Sequence, residues 1–315
     1  MKLFNLPLIS FMAILSVMAM LFTKIVLGEE KKVYPDFISP VSIEAGEIVA
    51  PAIDVAPATY FKGQIGVGGG GWDVGRASYS EVFSKMIFGI NWSPSILRRR
   101  FSIGLDFSPL LLHSLHTSVP PAIDEWHSEC DLSDLRLALS GLAWVWNNSK
   151  RSMALGLRPY FRMTFPTDTS RWNTTRIASP IRRVFGDDIK EHEYVGIDIG
   201  EGFAWKWKII TLYETLSMVT VAIVDSKTQF LLSFITGIGI YIGHGFELVV
   251  ELDFLGRLTE APAGAGRMTA VAACPGFRWK RKKFEISLES RIGLGIDSEP
   301  SYGDGSGGLV IKYNL

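Results

Sequence analysis

Groups able to do chemistry concentrate in a few stretches of this chain. Between residues 109 and 132 lie His113, His116 and His127, with Asp124, Glu125, Glu129 and Cys130 among them. Imidazoles and carboxylates at that density suit metal binding or proton transfer. The HxxH spacing of His113 and His116 matches no zinc-hydrolase helix motif, however, and Pro120-Pro121 breaks any regular element that would present both rings together. A second stretch, 166–192, carries Arg171, Arg176, Arg182 and Arg183 near Trp172 and Phe185, a set suited to phosphate groups. No GxSxG elbow, Walker loop or dinucleotide fingerprint occurs, and the glycines from Gly68 to Gly71 lack the Lys-Ser/Thr that phosphate binding needs. No catalytic residue, metal ligand set or cofactor is therefore assigned. Cys130 and Cys274 stand apart and outside any CxxC cluster, so no bridge can be inferred. His192 and His244 are isolated and read as loop or turn positions.

Composition sets the class in which these groups must work. The 315 residues are 47% hydrophobic and 12% aromatic, enough to bury ample apolar surface and exclude disorder. Basic and acidic side chains balance at 32 each, so no basic field points to nucleic acid. Lys2 precedes an apolar run from Leu3 to Leu27 that ends at Gly28, the pattern of a secretory signal peptide over residues 1–28. An uncleaved anchor is the alternative, and either way the remainder leaves the cytoplasm. Residues 29–59 form an arm in which Pro35, Pro40, Pro51 and Pro57 forbid a regular helix or central strand. Such an arm lies free or tucks into the domain C-terminal to it.

From Tyr60 onward the sequence alternates with period two. Met153, Leu155, Leu157, Phe161, Met163 and Phe165 share one face of their segment, against Arg158, Tyr160, Arg162 and Thr164 on the other. Phe246, Leu248, Val250, Leu252 and Phe254 alternate with Glu247, Glu251 and Asp253, and Phe284, Ile286 and Leu288 with Glu285 and Glu289. About twelve such segments are expected, near 60–68, 81–92, 100–108, 133–146, 152–165, 193–206, 209–223, 228–242, 246–256, 268–280, 284–296 and 308–315. Short connections alternate with long ones, including 69–80, 109–132 and 166–192; Asp225–Lys227 is an unexpectedly short member of the long set. Trp92, Trp146, Trp207 and Trp279 each close a segment before a mostly basic turn, and Tyr241 takes the corresponding place. These rings read as one girdle at a membrane–water boundary.

The pattern over residues 60–315 resembles outer-membrane β-barrel proteins of Gram-negative bacteria, a porin-like class. The terminal run Leu309, Ile311, Tyr313, Leu315 is similar to the signal that barrel-assembly machinery reads, although the last residue is Leu315 where an aromatic is usual. The resemblance implies an all-β fold: a closed antiparallel transmembrane barrel of about twelve strands, with short periplasmic turns and long extracellular loops. It implies a place in the bacterial outer membrane, with periplasmic termini and with membrane lipid, lipopolysaccharide and the assembly machinery as partners. Physics favours closure, because backbone groups in lipid must all be paired.

With the apolar face toward lipid, the polar face lines the lumen. Arg136, Arg158 and Arg162 then form a basic wall, and Glu247, Glu251, Asp253, Glu285 and Glu289 an acidic one opposite. Such a lumen would pass or bind small hydrophilic solutes by diffusion; a plugged interior in which the charges pair is the alternative. The loop 166–192 folds inward as a constriction, binds surface-lipid phosphates, or is simply solvated. Glu201 and Glu214 sit on the apolar phase and are expected to be cross-strand neighbours about a turn at 207–208. A bulge at Gly200 and Gly202 would turn Glu201 inward; otherwise this wall meets protein, as an oligomer contact, or opens sideways. Two other functions remain: a lipid-modifying enzyme using the 109–132 loop, and a non-conducting scaffold or surface-binding barrel.

Overall fold

A strand whose apolar residues all point one way needs an apolar surrounding on that side only, and a ring of such strands supplies one continuously. The computed structural model describes residue 37 and residues 58–74, 76–94, 101–120, 123–141, 144–165, 194–223, 228–259, 269–294 and 305–315. The expected signal segment, most of the arm and the arginine loop at 166–192 lie outside the described residues. Thirteen strands are described: β1 (Tyr60–Val74), β2 (Ala77–Trp92), β3 (Phe101–Val119), β4 (Ile123–Gly141), β5 (Trp144–Asn148), β6 (Met153–Phe165), β7 (Tyr194–Trp207), β8 (Ile210–Ile223), β9 (Gln229–Gly243), β10 (Phe246–Arg257), β11 (Thr269–Arg281), β12 (Phe284–Leu294) and β13 (Gly305–Asn314). β4 and β5 both pair with β6, so together they make one stave. Every other strand pairs antiparallel with its chain neighbours, and β1 pairs with β13 from Tyr60↔Asn314 to Gly69↔Gly305. Twelve staves thus close into a barrel.

Its two faces are those of a soluble protein reversed. Along β10, Leu248, Val250 and Leu252 are exposed while Glu247, Glu251 and Asp253 are buried. Along β6, burial alternates without interruption, with Arg158, Tyr160, Arg162 and Thr164 inside. Charge on the enclosed side and greasy residues outside is stable only where the outside is lipid. Among the described residues no helix is long and apolar enough to cross a membrane.

Both barrel termini and the short turns share one end, here called the turn end. Lys208, His244 and Lys282 take φ of 53°, 53° and 54° in tight connections between antiparallel strands, the left-handed backbone that such hairpins favour. At Gly245 (φ 86°) the carbonyl accepts a bond of 2.8 Å from the Lys280 amide, a close approach that a side chain would obstruct.

Two expected loops are instead mostly strand. β1 and β2 continue their ladder to Val74↔Ala77, and β3 and β4, each 19 residues long, continue theirs to Val119↔Ile123. A spanning strand needs only about 9–11 residues, so these hairpins rise well beyond any membrane. There both faces meet water and the alternation that marks a lipid-facing strand disappears.

The closing seam is rich in glycine: Gly66 faces Gly308, Val67 faces Gly307, and Gly69 faces Gly305. A Cβ at Gly308 would come within 2.9 Å of the Ile65 carbonyl oxygen. Gly308→Val should therefore hinder closure. On unheated gels the compact folded band should weaken relative to wild type; full retention of that band would show that the seam tolerates a side chain.

Candidate functional site: the charged lumen

The interior side chains organise into rows that follow the hydrogen-bond ladder from strand to strand. In one row Lys62 on β1, Gly89 on β2, Asp106 on β3 and Arg136 on β4 are successive partners. Because Gly89 has no side chain, Lys62 reaches across it to Asp106 at 3.3 Å. Lys312 on β13 is the register partner of Lys62 and contacts Glu285 on β12 at 3.3 Å. Arg278 on β11 lies 3.1 Å from Glu285 and donates to Glu247 on β10 at 3.0 Å. A belt of charges therefore winds from β4 through the seam to β10. On the same wall Arg291 pairs with Asp253 at 3.0 Å.

A second row crosses the other side. Val145 (β5), Gly156 (β6), Ala204 (β7), Tyr213 (β8), Gly237 (β9) and Glu251 (β10) are successive register partners. Gly237 leaves room for the Tyr213 ring to lie over it, and the Tyr213 hydroxyl donates to Glu251 Oε1 at 2.6 Å. Nearby, Arg158 donates to the hydroxyls of Ser140 (2.5 Å) and Ser102, and the Tyr160 hydroxyl donates to Asp198 at 3.2 Å.

All eight charges expected in the lumen are buried on the enclosed face. The proposed acidic wall is nonetheless not bare, since Arg278, Arg291 and Lys312 stand among its carboxylates. Arg278 and Lys312 escape a reading by periodicity because the partnership of residues 31 or 27 positions apart is set by register, which period two alone does not give. The apolar part of the inner face across β5–β10 is equally hard to read as a site. On it Ala154, Ala204, Tyr213, Ile235 and Val249 form an interior cluster with Val145 packed against it, and Phe37 of the arm, 5% exposed, completes the cluster. Phe37 thus lies inside the barrel.

The histidine stretch is divided. His116 stacks on Trp126 (4.8 Å between centroids) and bonds Asp124 at 2.6 Å, while strand alternation puts His127 and Glu125 on the opposite face. Register pairs His113 with Glu129. Ser114 and Ser128 bond each other at 2.8 Å. Among the described residues no three metal-binding side chains come together, and Cys130 and Cys274 are both free.

Outside, Trp92, Trp146, Trp207 and Tyr241 are exposed at the turn end, with Trp279 partly so beside Phe246. Lys208 lies over Trp207 and Lys283 over Tyr313, at 5.1 and 5.7 Å from the ring centroids. The expected bulge at Glu201 does not form: the β7–β8 ladder runs without a shift, and both Glu201 and Glu214 are exposed on the outer face. Their expected pairing also needs correction. The turn centres on Lys208–Ile209 rather than 207–208, so Glu201 opposes Leu216 and Glu214 opposes Phe203, leaving the carboxylates diagonal neighbours. At about 3.3 Å per residue on strands tilted by about 40°, they stand roughly 10–15 Å from the tryptophan rim, near the middle of an apolar band about 25 Å tall.

Comparison with known proteins bears on this architecture. An outer membrane channel from Pseudomonas putida F1 superposes over 90% of this chain and 100% of its own, with a TM-score of 0.54 at 10% identity. The fold is that of an outer-membrane β-barrel. Other barrels of this type align more loosely: the transport unit of the autotransporter AIDA-I from Escherichia coli (TM-score 0.49, 9% identity, 82% of this chain and 90% of that one) and the NanC porin (0.46, 7%, 82% and 100%). No protein-family model matches the chain, and no curated protein matches it.

Arg278, 1% exposed, supplies the cation between two buried carboxylates of this barrel. Arg278→Leu would leave Glu247 without this cation and Glu285 with Lys312 alone, and should cost about 1–3 kcal/mol. Urea unfolding in detergent micelles should show the midpoint fall accordingly, with Arg278→Lys falling less.

Proposed function

We propose that the barrel sits in the bacterial outer membrane with its turn end in the periplasm and admits small hydrophilic solutes by passive diffusion. The observation that carries this reading is the state of two charged groups on opposite walls. Arg162 on β6 and Glu289 on β12 are six staves apart in the ring of twelve. Each is more than nine-tenths buried, yet Arg162 Nη1 and Glu289 Oε2 have no hydrogen-bond partner among the described residues. Polar atoms enclosed in a dry interior without a hydrogen bond cost free energy, those of a guanidinium such as Arg162 most of all. A wetted lumen, or a polar solute in it, removes that cost. Fixed charges beside such a passage orient dipolar solutes and exclude greasy ones. No chemical step is involved, and membrane lipid, lipopolysaccharide and the assembly machinery are the partners this placement implies.

Planar-bilayer recording tests the reading. Wild-type protein should conduct, Arg162→Glu should shift the reversal potential toward cation selectivity, and Glu289→Lys should shift it toward anions. Silence of the wild type would favour the non-conducting scaffold instead.

A second proposal concerns the wall itself. Carboxylates near the middle of a lipid-facing surface are unfavourable, and Glu201 and Glu214 are flanked there by Pro159 and Thr236, their register partners on β6 and β9. This face meets protein, as a contact between copies of the barrel. Wild type should run as an oligomer by light scattering in detergent, and the Glu201→Leu/Glu214→Leu double variant as a monomer; a monomeric wild type would refute the contact.

A further inference from the structure

Most of the lumen is lined by charged and hydroxylated side chains, which makes one apolar hollow conspicuous. Along the row Val145–Gly156–Ala204–Tyr213, the two middle positions carry no side chain larger than a methyl group. Adjacent strands are about 4.8 Å apart, so two small positions side by side leave a depression close to the width of an aromatic ring, bounded by Val145 and the Tyr213 ring. Ala154, Ile235 and Val249 extend its apolar surface, and every member lies on the enclosed face. The edge is polar, because the Tyr213 hydroxyl is committed to Glu251. A hollow of this kind is shaped for a ring attached to a polar body.

The hollow already has an occupant of that chemistry. Phe37, 5% exposed, packs against these residues although it lies outside every described strand of the ladder. The arm meets the barrel at the turn end, where Ala58 O accepts from Asn91 Nδ2 at 2.5 Å and Thr59 Oγ1 donates to Ser93 O at 3.1 Å. Twenty residues, 38–57, separate Phe37 from that attachment. They could span roughly 65 Å if fully extended, ample to leave and re-enter the mouth.

We propose that the hollow is a binding subsite for the aromatic ring of a small zwitterionic or otherwise polar solute, with Phe37 as a resident occupant that the solute displaces. The proposal rests on the reading of a solute-accessible lumen and adds a solute class to it. The polar edge at Tyr213 and Glu251 holds the polar body while burial of the ring supplies selectivity. An internal competitor lowers apparent affinity by the fraction of time the seat is filled.

L-Phenylalanine and L-alanine, which differ by the phenyl ring, are suitable probes, and equilibrium binding to detergent-solubilised full-length protein by titration calorimetry is the readout. Phe37→Ala should bind phenylalanine at least tenfold more tightly than wild type does, and at least tenfold more tightly than it binds alanine. Adding Ala204→Leu to Phe37→Ala should abolish the preference by filling the hollow. If that double variant lacks the compact band on an unheated gel, Ala154→Leu takes its place. Equal binding of phenylalanine by wild type and Phe37→Ala, or no preference over alanine in Phe37→Ala, would overturn the proposal. Binding is read without conduction, so a protein that is silent in bilayers but shows the tenfold preference loses the channel reading and keeps the subsite.

Discussion

Peptide groups immersed in hydrocarbon have no water to bond, and each unsatisfied one costs several kcal/mol. That constraint governs the whole chain from Tyr60 to Asn314: a sheet with two free edges cannot rest in a membrane, so β1 must find β13. Once the ring is closed, the period of two divides every strand between two environments. The outward residues Leu248, Val250 and Leu252 and the inward residues Glu247, Glu251 and Asp253 are set by the same closure. The polar lumen is therefore, in the first place, a consequence of satisfying the backbone.

Inside the ring, glycine decides which charges meet. Gly89 and Gly237 lie between partners that face each other two strands apart, Lys62 with Asp106 and Tyr213 with Glu251. A larger side chain at either position would stand in the line of contact. Gly156, beside Ala204, works in the other direction, leaving a space that nothing on its own wall fills. One residue type thus makes both the belt and the hollow, depending on what its row neighbours carry. The buried carboxylates on β10 and β12 gain from this arrangement, since a charge removed from water persists only with close opposite charge or solvent.

Much of the architecture is legible in the sequence because lipid imposes a sharp pattern. The limits of β6, β7, β8 and β9 lie within a residue of the alternation, and the girdle residues Trp92, Trp146, Trp207 and Tyr241 share the expected end. The outer halves of β1 to β4 are not legible: where water meets both faces, His116 and Trp126 can share a face with Ser114 without any apolar rhythm. The candidate site is legible only in its parts. Arg158 and Glu251 announce themselves by phase, but the partnership of Arg278 with Glu247, and the depression at Gly156 and Ala204, depend on which residues fall abreast. A turn placed one residue early is enough to set Glu214 against Glu201 instead of its true partner Phe203. Nothing in a proline-punctuated arm singles out Phe37 before the hollow that receives it is known.

Where the first stave meets the last, Gly66, Gly69, Gly305, Gly307 and Gly308 leave little but main chain to form the wall. Elsewhere neighbouring staves are keyed together by interlocking side chains, as Phe246 is with Phe277 and Phe284 with Tyr313. Along those few rungs the two staves hold each other mainly through main-chain bonds, while nearer the turn end Lys312 lies over the Tyr60 ring across the same seam. At that one place the ring is closed by register rather than by side-chain shape, and a glycine can be exchanged there only at the expense of the closing bonds themselves.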